Sequence, residues 1–248
     1  SEAKTLAKFA GDSGIVGVRA FFYENGTAYI VMDYVEGETL KAFASRRGRI
    51  PAAEALTLFR PLLRSLARVH EAGLLHRDIS PDNIMIKLDG TLTLLDFGAA
   101  RQMSVSGEHS NTINVKHGFA PEEQYRTRGE QGPWTDVYAL AATLYRLTTG
   151  EMPPQALDRL TNETTLMPPN QLGANFTPAQ ERALLHALAV RAADRTQSMA
   201  QFESELYGDA SYTSSTQRTV SAAPGVGGTS YRPAPFSGPA QGVLTPPP

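Results

Sequence analysis

Two groups of oxygen-bearing side chains stand out in the sequence: His76-Arg77-Asp78-Ile79-Ser80-Pro81-Asp82-Asn83, and Asp96-Phe97-Gly98, with twelve residues between Asn83 and Asp96. Carboxylate and amide oxygens are the hard donors that Mg²⁺ takes, and Mg²⁺ binds few protein ligands, keeping positions for phosphate oxygens. Between the two groups lie short apolar runs at 84–86 and 92–95, joined through Asp89-Gly90. That dipeptide between such runs signals a hairpin with a two-residue turn. With this turn, facing positions sum to 179, which sets Asn83 opposite Asp96. Facing residues have Cβ atoms about 4.5–5.5 Å apart, close enough for an amide and a carboxylate to share a metal ion. Asp78, five residues before Asn83, then sits at the rim of the same site.

A small β part followed by a mostly helical body must position these groups. Residues 1–9 read as a helix, with Leu6 and Phe9 three apart. Residues 18–23 and 28–34 are β-rich around Asn25-Gly26, a strong hairpin signal, and Gly37 breaks the second strand. Pro51 opens a helical pattern of Leu56, Phe59, Leu63, Leu66 and His70, closed by Gly73; Pro61 inside it is expected to kink or split it. Residues 137–147 form a very apolar helical stretch, expected to be central and buried. Thr177-Pro178-Ala179-Gln180 is a capping box opening a helix through Val190, and a last short helix fits 199–207.

Composition narrows the functional classes. Residues 208–248 hold 24 Gly, Pro, Ser or Thr among 41 and carry only Asp209, Arg218 and Arg232 as charges, so they read as a disordered linker to a further domain or membrane anchor. About 207 residues remain to fold, enough for one substantial core. With 23 basic and 25 acidic residues, a net charge of −2 and no basic stripe, nucleic acid is not an expected partner. The absence of cysteine excludes disulfides, thiolate nucleophiles and Cys-containing zinc sites. No apolar run reaches the roughly 18–20 residues of a membrane span. The first residue is not Met, from which the chain is expected to be a piece of something longer.

The motif order and spacing resemble the H-R-D-x-x-x-x-N and D-F-G signatures of protein kinases, and more of the chain is similar to that family. The resemblance implies a catalytic Asp78 that orients a substrate hydroxyl and accepts its proton, with Asn83 and Asp96 holding Mg²⁺ on ATP. Tyr29-Ile30-Val31-Met32-Asp33-Tyr34-Val35 resembles the strand and hinge that grip adenine, with Met32 as gatekeeper, the backbone of Asp33 and Val35 as hydrogen-bonding partners and Met85 as the floor. Phe97 and Gly98 complete the second signature. Asp136 resembles the helix-capping aspartate that braces the catalytic loop, and Arg195 the late arginine that pairs with the glutamate closing the activation segment. Ala120-Pro121-Glu122 copies one form of that motif, but alignment on Gly118-Phe119 and Gln124 favours Glu123. Arg77 resembles the arginine that docks a phosphorylated residue, with Ser110 and Thr112 as the candidate phosphosites. His76 reads as a structural histidine bonding backbone.

Three departures from the family pattern matter. The glycine-rich loop and strand lysine are absent, while Glu2 falls where the partner glutamate of that lysine belongs. Ser80 occupies a position where serine/threonine kinases usually carry lysine. Lys116 occupies one usually held by threonine. The last two read as an exchange, in which Lys116 reaches back to Asp78 and supplies the cation that Ser80 cannot.

The resulting expectation is an α+β, two-lobe, kinase-like fold: an incomplete small lobe at 1–35 beginning in its helix, a mostly helical large lobe at 36–207, and a linker at 208–248. Its function would be bacterial-type serine/threonine protein kinase activity using ATP and Mg²⁺ on protein substrates, self-phosphorylation included. The polypeptide as given is expected to be inactive, and its location cytoplasmic, tethered through whatever follows the linker. Two rival readings are a pseudokinase scaffold and a small-molecule phosphotransferase. Retention of Asp78, Asn83 and Asp96 together argues against the first, and the segment from Gly98 to Glu123 with Arg195 against the second.

Overall fold

Asn25 and Gly26 both have positive φ, 49° and 72°, the conformation that a two-residue type I′ turn requires. They join β1 (Val18–Glu24) to β2 (Thr27–Met32), paired antiparallel up to Glu24 opposite Thr27, with a bulge between Val18 and Ala20. The computed structural model describes residues 9–95, 115–126 and 129–208. The helix expected over 1–9 therefore lies, Phe9 aside, outside the described residues, as does the linker beyond Gly208. The segment before β1 ties this hairpin to the rest of the fold: Val16 N–H donates to Leu94 O (3.0 Å), Leu94 N–H to Gly14 O (2.8 Å), and Ile15 and Val16 are buried.

A second sheet has the order β3 (Gly37–Thr39), β4 (Ile84–Lys87), β5 (Leu92–Leu94), all antiparallel. Its β4–β5 turn differs from the expected two-residue form. Gly90 has φ 82° and Asp89 does not share the positive φ that a type I′ turn needs at both centres. Lys87 N–H bonds Thr91 O instead (3.0 Å), so the loop is Leu88-Asp89-Gly90, and Asp89 Oδ1 accepts from Thr91 N–H (2.8 Å). Facing positions therefore sum to 178, with Ile84 opposite Leu94 and Ile86 opposite Leu92. Asn83 O accepts from Leu95 N–H (2.8 Å), so Asn83 faces Leu95, and the direct opposition of Asn83 and Asp96 is not the pairing this hairpin makes.

Six α-helices occur among the described residues. The first, α1 (Leu40–Arg47), was not apparent in the sequence because its apolar stripe is only Leu40 and Phe43; Thr39 caps it by accepting from Ala42 N–H (3.1 Å). The second, α2 (Ala52–Glu71), is one continuous helix that carries Pro61 rather than splitting there. Pro61 and Thr57, whose carbonyl loses its helical donor, are both solvent-exposed, so water satisfies the freed oxygen and the break is avoided. Its inner face buries Leu56, Phe59, Leu62, Leu63, Leu66 and Val69.

At the centre, α3 (Pro133–Thr149) is buried nearly all round, Val137, Tyr138, Leu140 and Ala141 completely, as an apolar helix without a polar face must be. Gly150 ends it in the left-handed conformation (φ 76°). After the short α4 (Ala156–Leu160), Thr177 and Gln180 form their reciprocal capping box at the start of α5 (Pro178–Ala187), and α6 (Met199–Tyr207) closes the fold. The fifth helix stops three residues short of Val190 because the carbonyls of Ala189 and Val190 turn to the Arg195 guanidinium (2.9 and 2.8 Å).

Two buried ionic nodes hold the segments between these elements. Arg195, 2% exposed, forms a two-pronged pair with Glu123 (2.8 and 3.2 Å), stacks over the Tyr138 ring and donates to Trp134 O. Glu122 pairs instead with Arg126 (2.7 Å). The other node is Asp136, fully buried in the first turn of α3: Oδ2 accepts from His70 Nε2 and His76 N–H, and Oδ1 from Arg77 N–H, each at 2.8 Å. Burial acts to raise the Asp136 carboxyl, but the His70 hydrogen bond and charge, with the His76 N–H, outweigh it and hold the group below its ordinary value.

Both nodes give measurable outcomes. Arg195→Met leaves Glu123 buried without its partner and lowers the unfolding free energy by about 3–5 kcal/mol, read by urea denaturation. A loss below about 1 kcal/mol would show that the pair is not a structural lock. Because the Asp136 carboxyl is depressed, its stabilisation is complete above the unfolded value of 3.8 and is lost as the pH falls below it through the folded value. The stability difference between the protein and its Asp136→Asn variant therefore shrinks on acidification below about pH 4. A difference that grows there contradicts the depressed value.

Candidate active site

The segment after α2 must cross the end of the second sheet, and its backbone does so through an unusual residue. Arg77 has φ 66°, a left-handed conformation that a non-glycine residue adopts only under constraint. His76 is fully buried on one side of this kink, where Nε2 donates to Leu95 O (2.7 Å) and Nδ1 accepts from Asp78 N–H (3.2 Å). The kink turns the next side chain outward: Asp78 is 35% exposed.

The Asp78 carboxylate has a donor on each side. Asn83 Nδ2 donates to Asp78 Oδ2 and to Asp78 O, both at 2.8 Å. Lys116 Nζ lies 3.2 Å from Asp78 Oδ1 and donates to Ser80 Oγ at 2.9 Å. Three groups of the sequence analysis, Asp78, Asn83 and Lys116, thus meet, with Ser80 buried beneath them. Arg77 and His76 stand behind them on Asp136. With its amide nitrogen donated, Asn83 keeps Oδ1 as an oxygen donor, a group of the type Mg²⁺ takes. Asp96, the second expected ligand, lies outside the described residues with Phe97, Gly98, Ser110, Thr112 and Glu2.

The adenine set is less closely grouped. Asp33 N–H is donated to Gly17 O (2.8 Å), and the Asp33 carboxylate meets Arg19 Nε at 2.5 Å. Met32 at the end of β2 is 37% exposed and Met85 lies half-buried in β4 between Thr39 and Thr93. A cavity of about 550 Å³ beside the hinge takes in Asp33 and Val35, with Ile15, Val16, Leu88 and Thr93, but neither methionine and none of Asp78, Asn83 or Lys116.

Three contributors escaped the sequence reading. His70 appeared only as an apolar-face position, yet bonds Asp136; its spacing from His76 at a helix end was the available signal. Gln124 Nε2 donates to Arg77 O (2.7 Å), and Thr135 Oγ1 to Glu123 Oε1 (2.9 Å). Neither has a short-range pattern, since their partners are 47 and 12 residues away.

Comparison with known proteins identifies the family of the fold. The protein kinase domain family matches residues 1–190. A solved structure, PpkA-294 in its apo form, superposes with a TM-score of 0.70 at 38% identity, covering 83% of this chain and 72% of that one. The serine/threonine-protein kinase PknB of Mycolicibacterium smegmatis is 32% identical over 188 residues, 72% of this chain and 30% of that protein. Rad53 in complex with AMP-PNP shares the fold, with a TM-score of 0.65 at 21% identity, covering 82% of this chain and 53% of that one. The chain spans between 22 and 38% of the length of the first curated relatives it matches. Among the described residues no helix is long and apolar enough to cross a membrane. A loop that presents Asp78 between Asn83 and Lys116, braced from a buried helix, and a family match over most of the sequence lead to one assignment: this chain belongs to the protein kinase domain family.

Proposed function

We propose that this chain carries the phosphotransfer centre of a bacterial-type serine/threonine protein kinase, moving the γ-phosphate of ATP to hydroxyls of protein substrates. The observation that carries the reading is the Asp78 carboxylate held between Asn83 Nδ2 and Lys116 Nζ. In the reaction the substrate oxygen bonds to the γ-phosphorus as the bond to ADP breaks. Asp78 orients the hydroxyl and takes up its proton. Such a transition state is loose, so alignment and neutral charge balance supply most of the acceleration.

Lys116 acts as the fixed cation of the site. It reaches Asp78 and Ser80 from the other segment, which places positive charge where charge on the transferring group must be balanced. Asn83 Oδ1 and Asp96 would hold Mg²⁺, which when bound would supply positive charge toward the phosphates. Met32, Met85 and the backbone of Asp33 and Val35 would receive adenine, and Glu2 would pair with a phosphate-gripping lysine. Arg77 would dock a phosphate placed on Ser110 or Thr112 by self-phosphorylation.

In the natural full-length protein, Asp78→Asn lowers kcat by about 10²–10⁴-fold with little change in KM for ATP; a variant with wild-type kcat rules out this carboxylate as the base. Lys116→Ala lowers kcat by about 10²–10³-fold, and the double variant Lys116→Ala/Ser80→Lys recovers part of the loss by returning a cation to the loop. Unchanged turnover in Lys116→Ala refutes the assignment of the cation.

A further inference from the structure

Between α1 and the last turn of α3 lies a cleft of about 330 Å³. Pro81 and Asp82, which follow Asp78 by three and four residues, line one end, and Phe119, three residues after Lys116, lines another. Three or four residues of extended chain span at most roughly 11–14 Å. A protein segment with its hydroxyl at Asp78 therefore has neighbouring residues within reach of this cleft.

The lining is strongly unbalanced in charge. It contains Lys41, Arg49 and Arg146 against the single carboxylate of Asp82. Lys41 Nζ bonds Asp82 Oδ1 (2.8 Å), so those two cancel. Arg49 is fixed by a bond from NH1 to Leu172 O (2.5 Å), a neutral acceptor that leaves its charge unbalanced. Arg146 is half-buried, in the last turn of α3, and among the described residues its guanidinium has no hydrogen-bond or ion-pair partner. The α3 C-terminus favours a cation there, and the solvent-accessible guanidinium offers its N–H donors to an incoming acceptor. A carboxylate is the matching group, since it accepts two parallel N–H bonds from one guanidinium. The apolar side chains of Phe119 and Met152 line the same cleft.

We infer that this cleft receives an Asp or Glu side chain of the protein substrate, flanking the acceptor hydroxyl, with Arg146 and Arg49 as its partners. The inference rests on the protein-substrate reading above and names the class of segment it takes: acidic sequence around the serine or threonine. Lys41 and Asp82 pair with each other in the cleft, and the half-buried Arg146 and exposed Arg49 carry its unbalanced charge.

The test measures binding, so that it is independent of phosphotransfer. Two fluorescent peptides are compared by anisotropy with the protein at low ionic strength; they share a central serine and differ in having Glu or Lys at the flanking positions. The acidic peptide binds roughly tenfold more tightly than the basic one. Arg146→Gln narrows the difference to roughly threefold or less, and Arg146→Glu removes or reverses it. Arg49→Gln, outside α3 and at an exposed position, provides the same reading if the Arg146 variants lose thermal stability. Equal binding of the two peptides by the unaltered protein, or a preference that survives Arg146→Glu, overturns the inference. Transfer of ³²P from ATP to the same peptides is scored separately in the full-length protein. Transfer to both without preference refutes the cleft alone, and an acidic binding preference without transfer refutes the kinase reading while leaving the cleft in place.

Discussion

One buried carboxylate holds the reactive loop to the helical body. Asp136 sits in the first turn of the central helix, and its two oxygens accept three hydrogen bonds, two from consecutive backbone N–H groups of His76 and Arg77 and one from the His70 ring. Those consecutive donors point the same way only because Arg77 adopts a left-handed conformation. Such a conformation costs about 1–3 kcal/mol in a non-glycine residue, and two charge-assisted bonds to a fully buried acceptor offset it. The kink sends His76 inward to Leu95 O and Asp78 outward to solvent. Removing the acceptor would release the bend, and with it the direction in which Asp78 points.

The opposing segment is held just as firmly, through a single turn of 3₁₀ helix at Glu122–Tyr125. Its two middle residues face different ways. Glu123 runs into the core to meet Arg195, whose remaining donors are spent on carbonyls of Ala189, Val190 and Trp134. Gln124 reaches back to the Arg77 carbonyl. Arg77, whose N–H Asp136 accepts, is thus also held through its own carbonyl by the segment that follows Lys116. Asp78 and Lys116 come from chain stretches 38 residues apart, yet each is anchored within a few residues to the same helical frame, the condition for a site whose geometry survives thermal motion.

What the sequence made legible was set by local rules. Asn25-Gly26 dictated its hairpin, Thr177 and Gln180 their capping box, and the apolar stretch in 137–147 its central burial, because each depends on residues a few positions apart. Reading failed where a local rule had a near-degenerate alternative. Asp89-Gly90 fits both a two-residue loop and a three-residue loop with only Gly90 in positive φ, and the structure takes the second. That single-residue slip moved the partner of Asn83 from Asp96 to Leu95, since a strand pair reverses every face when its register shifts by one. Pro61 did not split the helix: residue 61 lies on its exposed side, where the unpaired Thr57 carbonyl is open to solvent. The first helix has too narrow an apolar stripe to show a period, and His70, Gln124 and Thr135 act on partners that no short window contains.

On the proposed reading, the exchange between Ser80 and Lys116 would change how the site is wired as well as where its cation sits. A lysine on the loop of Asp78 would follow that loop wherever Asp136 placed it. A lysine at 116 keeps its distance from Asp78 only while the segment of Lys116–Phe119 holds its turn, in which Phe119 and Ala120 N–H both bond Lys116 O (3.0 and 3.1 Å). That turn passes through Gly118 at φ 82°, where any Cβ would lie 2.8 Å from the Met152 side chain and 2.9 Å from Pro153 O, so it packs tightly on the wall of the charged cleft. Phe119 and Met152 both line that cleft. On the proposed reading, a substrate segment seated against Arg146 would bear on the same turn that carries Lys116 and couple substrate binding to charge placement at Asp78.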